Sequence, residues 1–333
     1  MDDRLRGSRV VLLAGGVGGA RMAAGFDAVL RSGALTIVAN VGDDERFYGL
    51  QVCPDLDTLL YTLAGAVDPQ QGWGVAADTT RVLDTLSMLG APTWMKLGDA
   101  DFGLHIYRSW RLAQGARLTD VMREAAQRMG LTACLLPATD TPTPTEIEID
   151  GAVLRFQQWF VAERAKPAVR GLHYAGAQEG CATPEVMEAI EHADLIVIAP
   201  SNPLLSIEPM LALPGVRQAL RAAQAPCIAV SPLINGKAIK GPLDRMLADM
   251  GLTEGNEGIA ERYSGLIDGL VVDASDAGDV PALRAGGLAV LAARTLIHER
   301  EHAAFLARQL LAWSQTLRGA PMRCEARRIG AAS

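Results

Sequence analysis

Acidic side chains follow a glycine-rich turn near the start of this 333-residue chain. The turn runs from Gly15 to Gly19, and the carboxylates that follow it are Asp43, Asp44, Asp55 and Asp57. Backbone amides of a glycine turn at the start of a helix can approach a phosphate closely. The nearby carboxylates would repel that phosphate unless a divalent cation lay between them, so the pattern predicts metal-assisted phosphoryl transfer.

Each part of this pattern also has a simpler interpretation. The glycines could serve only to pack a helix against a strand, and Asp55 or Asp57 could only cap a helix that begins near Thr58. Two known phosphate motifs are excluded, since Arg21 stands where a dinucleotide fingerprint needs glycine and no Lys-Ser or Lys-Thr pair follows the turn. We favour phosphate contact. The residues predicted to make it are Gly15, Gly16, Gly18, Gly19 and Arg21.

A second acidic cluster, Gly98-Asp99-Ala100-Asp101, comes directly after Lys96 and Leu97. Asp101, His105 and Arg108 recur at spacings of three or four residues, which predicts that they share one helix face. Such a face either binds a ligand or is solvated and holds an ion pair. We favour binding, because the cluster follows a strand predicted at residues 94–97.

Two later loops each follow a predicted buried strand. One places Ser201 and Asn202 between prolines, and the other carries Lys237 and Lys240 among glycines. In a parallel sheet both loops would open on the same edge as the glycine turn. The lysines predict diphosphate binding, although turn chemistry and ordinary solvation are the simpler alternatives.

Composition narrows the class of protein. Hydrophobic residues make up 49% of the chain and aromatic residues only 5%, which is typical of helices packed on a sheet. A net charge of −7 argues against nucleic acid as the main partner, since that partner needs a clustered basic surface.

Five scattered cysteines indicate neither a disulfide framework nor a zinc site. No apolar run approaches the ~20 residues of a membrane span, so we expect a cytoplasmic protein with no membrane partner.

Hydrophobic periodicity predicts a doubly wound α/β fold, with a mainly parallel, Rossmann-like sheet and helices on both faces. The predicted sheet strands are residues 9–14, 35–39, 195–199, 227–230 and 269–272. Residues 8–136 and 184–318 would form the catalytic domain, 137–183 a smaller inserted cap, and 319–333 a flexible tail.

Five motifs, in this order, resemble the 2-phospho-L-lactate transferase family of coenzyme F420 biosynthesis. They are Gly15 to Arg21, Pro54 to Thr58, Leu97 to Asp101 with His105 and Arg108, Ala199 to Pro203, and Ser231 to Pro242. The resemblance implies that the ribityl 5′-hydroxyl of 7,8-didemethyl-8-hydroxy-5-deazariboflavin attacks a guanosine diphosphate-linked donor. The attack is on the acyl-side phosphorus, and GMP is released.

The resemblance also implies Mg²⁺ as the cofactor and deazaflavin contacts through Asp57 and Lys96. Combined with the residue patterns above, the implied reaction suggests a hypothetical role for each other candidate. Asp43, Asp44 and Asp55 would hold the metal, and the glycine turn would hold the diphosphate together with Arg21, Ser201, Asn202, Lys237 and Lys240. The deazaflavin would contact Asp57, Lys96, Asp99, His105 and Arg108. Asp57, Asp55 and Lys237 would act in catalysis, and Asp57 would also orient the hydroxyl. A homodimer is expected from the same likeness.

Departures from the family pattern are mild. Cys53 stands where serine is frequent, and Pro137-Ala138-Thr139-Asp140 replaces a more usual Pro-Met-[Ser/Thr]-Asp. The acyl group stays open among 2-phospho-L-lactate, phosphoenolpyruvate and 3-phosphoglycerate. The alternatives are a non-enzymatic nucleotide-sugar-binding regulator of the same superfamily and a nicotinamide oxidoreductase. We favour the transferase, because the regulators lack the Pro54 to Thr58 and Gly236 to Pro242 stretches.

Overall fold

The computed structural model describes residues 3–317, and the tail predicted at 319–333 lies outside them. The strands are β1 Val10–Ala14, β2 Leu35–Ala39, β3 Glu45–Phe47, β4 Leu50–Val52, β5 Cys134–Pro137, β6 Thr145–Ile149, β7 Ala152–Arg155, β8 Gly171–Tyr174, β9 Leu195–Ile198, β10 Cys227–Val230, β11 Leu233–Ile234, β12 Lys237–Ala238, β13 Gly269–Asp273 and β14 Ala289–Ala293. The α-helices are α1 Asp3–Arg6, α2 Gly16–Val29, α3 Pro54–Leu63, α4 Arg81–Met88, α5 Asp99–Ala113, α6 Leu118–Arg128, α7 Pro184–Glu191, α8 Glu208–Leu211, α9 Val216–Ala222, α10 Leu243–Asp249, α11 Gly255–Arg262, α12 Val280–Ala285 and α13 Arg300–Leu317. Short π-helical turns lie at Gln158–Ala162 and Pro203–Ile207, and a 3₁₀ segment lies at Ala274–Asp279.

Seven parallel strands form the central sheet, in the order β14-β13-β10-β9-β1-β2-β5. The chain builds β1, β2 and β5 outward on one side, then returns to β9 on the other side of β1. The order therefore reverses between β1 and β9, where a doubly wound sheet opens a crevice at the carboxyl ends of its strands. The predicted doubly wound α/β fold is confirmed.

Helices cover both faces of this sheet. Side chains of each strand alternate between the two faces, so both faces present apolar residues that helices can bury. Val10 and Leu12 of β1 face one cluster, which α2, α3 and α13 complete. Val11 and Leu13 face the opposite cluster, which α7, α9 and α11 complete. Strands buried on both faces explain the continuous apolar runs that identified them in the sequence.

A three-stranded antiparallel sheet, β7-β6-β8, lies within the segment predicted as an inserted cap. Ile147 of this sheet and the fully buried Trp159 of the neighbouring π-helical turn join the hydrophobic cluster on one face of the central sheet. The small sheet therefore packs on the main core, while the boundaries of the cap stay a prediction. Between residues 3 and 317, no helix is both long and apolar enough to cross a membrane.

The strand predicted at residues 94–97 is wrong, since these residues have no regular structure. Met95 and Leu97 instead pack into a small separate cluster with Phe47 and Phe102. Their apolar character therefore reflects burial beside the β3–β4 hairpin and α5, away from the central sheet.

Candidate active site

A cavity of about 830 Å³ opens at the crevice between β1 and β9. Its walls come from the segments that follow β1, β2, β9, β10 and β14, together with α3 and α5. The parallel sheet thus brings loops distant in sequence to one edge, as the sequence predicted. The predicted site residues that line the cavity are Gly15, Gly16, Gly18, Arg21, Asp43, Asp55, Asp57, Lys96, His105, Ser201, Asn202 and Lys240.

The glycine turn leads directly into α2 and is pressed against the loop that follows β9. Gly16 has a φ of 63°, a conformation that favours glycine. A Cβ on Gly18 would lie 2.5 Å from the carbonyl oxygen of Pro200. Ser201 Oγ donates to the Gly15 carbonyl at 2.7 Å and ties the two loops together. Close packing therefore explains part of the glycine pattern, and it leaves the amides at the start of α2 beside the cavity.

Two carboxylates, Asp43 and Asp55, meet beside this turn. The Asn40 side-chain amide donates to both of them at 2.9 Å, and Asp55 also accepts from the Gly16 amide at 2.7 Å. Burial and the neighbouring charge of Asp55 raise the pKa of Asp43 well above its usual range. Burial likewise raises the pKa of Asp55 to about 6. Two buried carboxyl groups therefore lie close together with little to balance their charge.

Asp44 does not join this pair. Its carboxylate accepts from Cys53 Sγ at 3.0 Å, and burial raises its pKa to about 8. In the described part of the chain, no group of three or more His, Cys, Asp or Glu side chains is arranged to hold a metal ion. The three-carboxylate anchor predicted from the sequence is therefore not assembled. The remaining pair still fits Mg²⁺, which takes one or two protein carboxylates and completes its shell with phosphates and water.

Asp57, in the first turn of α3, lies on the cavity wall and faces α5. Its carboxylate is paired with both terminal nitrogens of Arg108, with one contact at 3.3 Å. The Nδ1 atom of His105 lies 3.6 Å from the same carboxylate. Burial lowers the pKa of His105 to about 4, so the ring is neutral near pH 7. Asp101, His105 and Arg108 are buried on a shared helix face, which excludes the solvated-face interpretation.

The cavity mouth carries large apolar side chains that the sequence reasoning missed. Trp73 and Phe160, which are 39% and 38% exposed, and Ile239 come from three separate segments. Lys96 Nζ lies 5.9 Å from the centre of the Trp73 ring, within the range of a cation–π contact. Trp73 stands between Gly72 and Gly74, and an aromatic residue inside a glycine-rich loop was the available signal.

A family model described as 2-phospho-L-lactate transferase CofD matches residues 10–285. The chain belongs to this family of transferases. A relative from Streptomyces griseus named phosphoenolpyruvate transferase is 38% identical over 316 residues, which cover 93% of this chain and 99% of that protein. One of the same name from Mycolicibacterium smegmatis is 38% identical over 304 residues, covering 85% and 93%. A solved structure from Bacillus halodurans has a TM-score of 0.62 at 17% identity, covers 91% of this chain and 99% of that one, and shows the fold alone.

Several residues expected to contact ligands in a CofD-family transferase lie elsewhere. Asp99 accepts from the Val82 amide at 2.9 Å and from Thr79, so its carboxylate caps α4 outside the cavity. Arg108 is fully buried behind Asp57. Lys237 lies exposed in β12, beyond the cavity lining. Gly19 packs against Ala14 and Ser201.

Two other predicted residues line the cavity and also use a polar atom to bind the protein itself. Asn202 Oδ1 accepts from the Leu204 and Leu205 amides at 2.9 and 3.2 Å, which shapes its own loop. Arg21 donates to the Ile297 carbonyl at 2.8 Å and anchors the segment after β14. These residues hold the wall of the site in place.

Proposed function

We propose that this chain transfers a phospho-acyl group from a guanosine diphosphate-linked donor to the ribityl 5′-hydroxyl of 7,8-didemethyl-8-hydroxy-5-deazariboflavin. GMP leaves, and the product is a form of coenzyme F420-0. The observation that carries this proposal is the shared cavity, which is lined by a helix start, a carboxylate pair and Asp57. These are the parts that phosphoryl transfer needs, since positioning and charge neutralisation supply most of its catalysis.

The donor diphosphate is placed at the start of α2. The first amides of a helix have no acceptor within the helix, and Asp55 already takes the one from Gly16. Val17 and Gly18 line the cavity, so their amides can face a phosphate. Lys240 lines the same cavity and adds a positive charge.

Asp43 and Asp55 would hold Mg²⁺, whose charge when bound neutralises the diphosphate. The buried pair fits the ion, because a cation would relieve the mutual repulsion of two adjacent carboxylates. Asn40 holds both carboxylates in place through its side-chain amide.

We place the acceptor at the cavity mouth. Its planar rings would pack against Trp73 and Phe160, with Lys96 beside them. Asp57 would accept a hydrogen bond from the 5′-hydroxyl and take its proton. The hydroxyl oxygen forms a bond to the acyl-side phosphorus while the bond from that phosphorus to the GMP oxygen breaks.

The acyl group that we favour is enolpyruvyl, because the relatives are named phosphoenolpyruvate transferases. The product would then be dehydro-F420-0, whereas the other donors would give F420-0 or its 3-phosphoglyceryl form. Mass spectrometry of the product from all three guanylated donors in competition, with deazaflavin and Mg²⁺, tests the reaction and the donor together. We expect a dehydro-F420-0 ion and equimolar GMP. A guanylylated deazaflavin, or no adduct with any donor, would contradict the proposal.

We also propose that the enzyme acts as a homodimer in the cytoplasm. Light scattering during gel filtration would show about twice the 35.3 kDa mass of one chain. A monomer mass at the protein concentration of the activity assay would contradict the proposed dimer.

A further inference from the structure

Arg108 is a fully buried cation that lies behind the cavity wall and is not among the residues that line the cavity. It projects from α5 toward Asp57 in the first turn of α3, and its side chain has no exposed surface. One terminal nitrogen donates to Asp57 at 3.3 Å and to the Gln51 carbonyl at 3.2 Å. The other donates to Asp57 and lies 3.6 Å from Met122 Sδ. The Nδ1 atom of His105 lies 3.4 Å from the first of these nitrogens.

Of these neighbours, Asp57 and His105 line the cavity, and Asp57 is the one that the guanidinium contacts through both terminal nitrogens. Its carboxylate is 7% exposed and lines the cavity, whereas Arg108 lies behind it. A bidentate guanidinium fixes both the position and the plane of a carboxylate. The remaining lone pairs of Asp57 are thereby held in one direction.

We propose that Arg108 is a positioning residue that orients the Asp57 carboxylate toward the attacking hydroxyl without touching either substrate. This inference rests on the proposed transfer reaction, in which Asp57 receives that hydroxyl. It differs from the expectation that Arg108 binds the deazaflavin directly. Lysine cannot replace the arginine, because an ammonium group is a point charge and does not fix the plane of a carboxylate.

A double-mutant cycle on turnover tests the inference. The four proteins are the wild type, Asp57→Asn, Arg108→Met and the variant with both changes, each compared per folded molecule by circular dichroism. We expect Arg108→Met to lower kcat about 100-fold, since small misplacements of a reacting group cost rates of that order. In the Asp57→Asn background the same change should alter kcat less than about threefold, because the residue acts only through Asp57.

The Michaelis constant distinguishes positioning from direct contact. Removing a positioning residue should lower kcat with the KM for deazaflavin changed less than about threefold. Arg108→Lys should recover at most about a tenth of the wild-type kcat. A KM raised more than about tenfold with kcat preserved would overturn the inference, because it would place Arg108 on the substrate. An effect of equal size in both backgrounds would overturn it as well, since that is the result for a purely structural role.

Arg111 provides the matched control, since it lies one helical turn further along α5 and pairs with Glu124 at 2.9 Å. Arg111→Met should leave kcat within about twofold of the wild type, because this pair lies away from the cavity. If Arg108→Met does not fold, the unfolding free energy of Arg108→Lys and its cycle with Asp57→Asn replace it. Wild-type protein that makes no product overturns the proposed function, and the inference with it. An additive cycle in an active enzyme overturns the inference alone.

Discussion

At the scale of single residues, two aspartates separated by one position make different contacts. Asp55 and Asp57 both lie in the first turn of α3. Residues two positions apart point to nearly opposite sides of a helix, because each turn contains 3.6 residues. Asp55 therefore meets Asn40 and the Gly16 amide, whereas Asp57 meets Arg108.

Asp57→Asn should lower kcat/KM about 100-fold or more, because an amide is a poor acceptor for the hydroxyl proton. GMP release at saturating donor measures the effect. Asp84→Asn is the matched control, since Asp84 is exposed on α4 and should change the rate less than about twofold. Wild-type turnover by folded Asp57→Asn would remove Asp57 from the mechanism.

His105 should make the protein less stable in acid. Its pKa is about 4 in the folded state, through burial, and about 6.5 in the unfolded state. Between these values the unfolded chain binds more protons, so the unfolding free energy should rise with pH from about 4 to 6.5 and then level off. The expected gain is about 3 kcal/mol.

Urea unfolding of the wild type and His105→Gln, at several pH values, measures this gain as a difference. The exposed His173→Gln serves as the control and should follow the wild-type curve. Parallel curves for wild type and His105→Gln from pH 4 to 7 would contradict the assignment of a buried neutral histidine.

Most of the residues predicted from type and spacing line the cavity, but the orientation of individual side chains was not predicted. The spacing of Asp101, His105 and Arg108 placed them on one face of α5, since helical periodicity is a local property. Asp99 and Asp101 look alike in sequence, yet Asp99 caps α4 and Asp101 is buried in α5. The difference depends on where α4 packs, which local spacing does not encode.

At the scale of elements, the contact between the glycine turn and the loop after β9 sets the shape of the proposed donor site. Gly18→Ala should destabilise the fold by about 1–3 kcal/mol, because the new Cβ meets the Pro200 carbonyl oxygen. The Kd for GMP should rise about tenfold as the start of α2 moves. Urea unfolding and calorimetric titration measure the two effects.

Gly103→Ala is the control for this substitution. Gly103 lies within α5, and a Cβ there would meet nothing within 4 Å. Alanine should stabilise the helix by about 0.5–1 kcal/mol without changing GMP affinity. Unchanged GMP affinity in Gly18→Ala would contradict the placement of the nucleotide phosphates at this turn.

Element boundaries explain one difference between prediction and structure. The helix expected near Thr58 begins at Pro54, because proline is well suited to the first helical position. This earlier start turns Asp55 and Asp57 from flanking caps into members of the first turn. A single sequence does not show whether a proline is the first residue of a helix or lies before the helix begins.

At the scale of the whole molecule, the reversal of strand order between β1 and β9 gathers the loops at one edge. Short apolar strands alternating with helices predicted a mainly parallel, doubly wound sheet, since parallel strands need helical crossovers, but they did not predict the order of its strands. The apolar mouth of the cavity was missed, because Trp73, Phe160 and Ile239 meet only through tertiary packing.

Mg²⁺ should stabilise the folded protein, because the ion would join the segment after β2 to α3 through Asp43 and Asp55. At saturating ion the unfolding free energy should rise by about 1–3 kcal/mol and fall again with a chelator. Asp55→Asn should abolish this gain and Asp44→Asn should keep it, since Asp44 faces Cys53. Equal stabilisation of Asp55→Asn and the wild type in thermal unfolding would contradict the metal assignment.

In the proposed reaction, donor and acceptor meet in the crevice between β1 and β9. A crystal structure of the protein with GMP and deazaflavin bound together would show whether they do. We predict the GMP phosphate at the start of α2 and the deazaflavin rings against Trp73, with the 5′-hydroxyl within hydrogen-bond distance of Asp57. Ligands bound outside this cavity, or a 5′-hydroxyl on the far side from Asp57, would contradict the account.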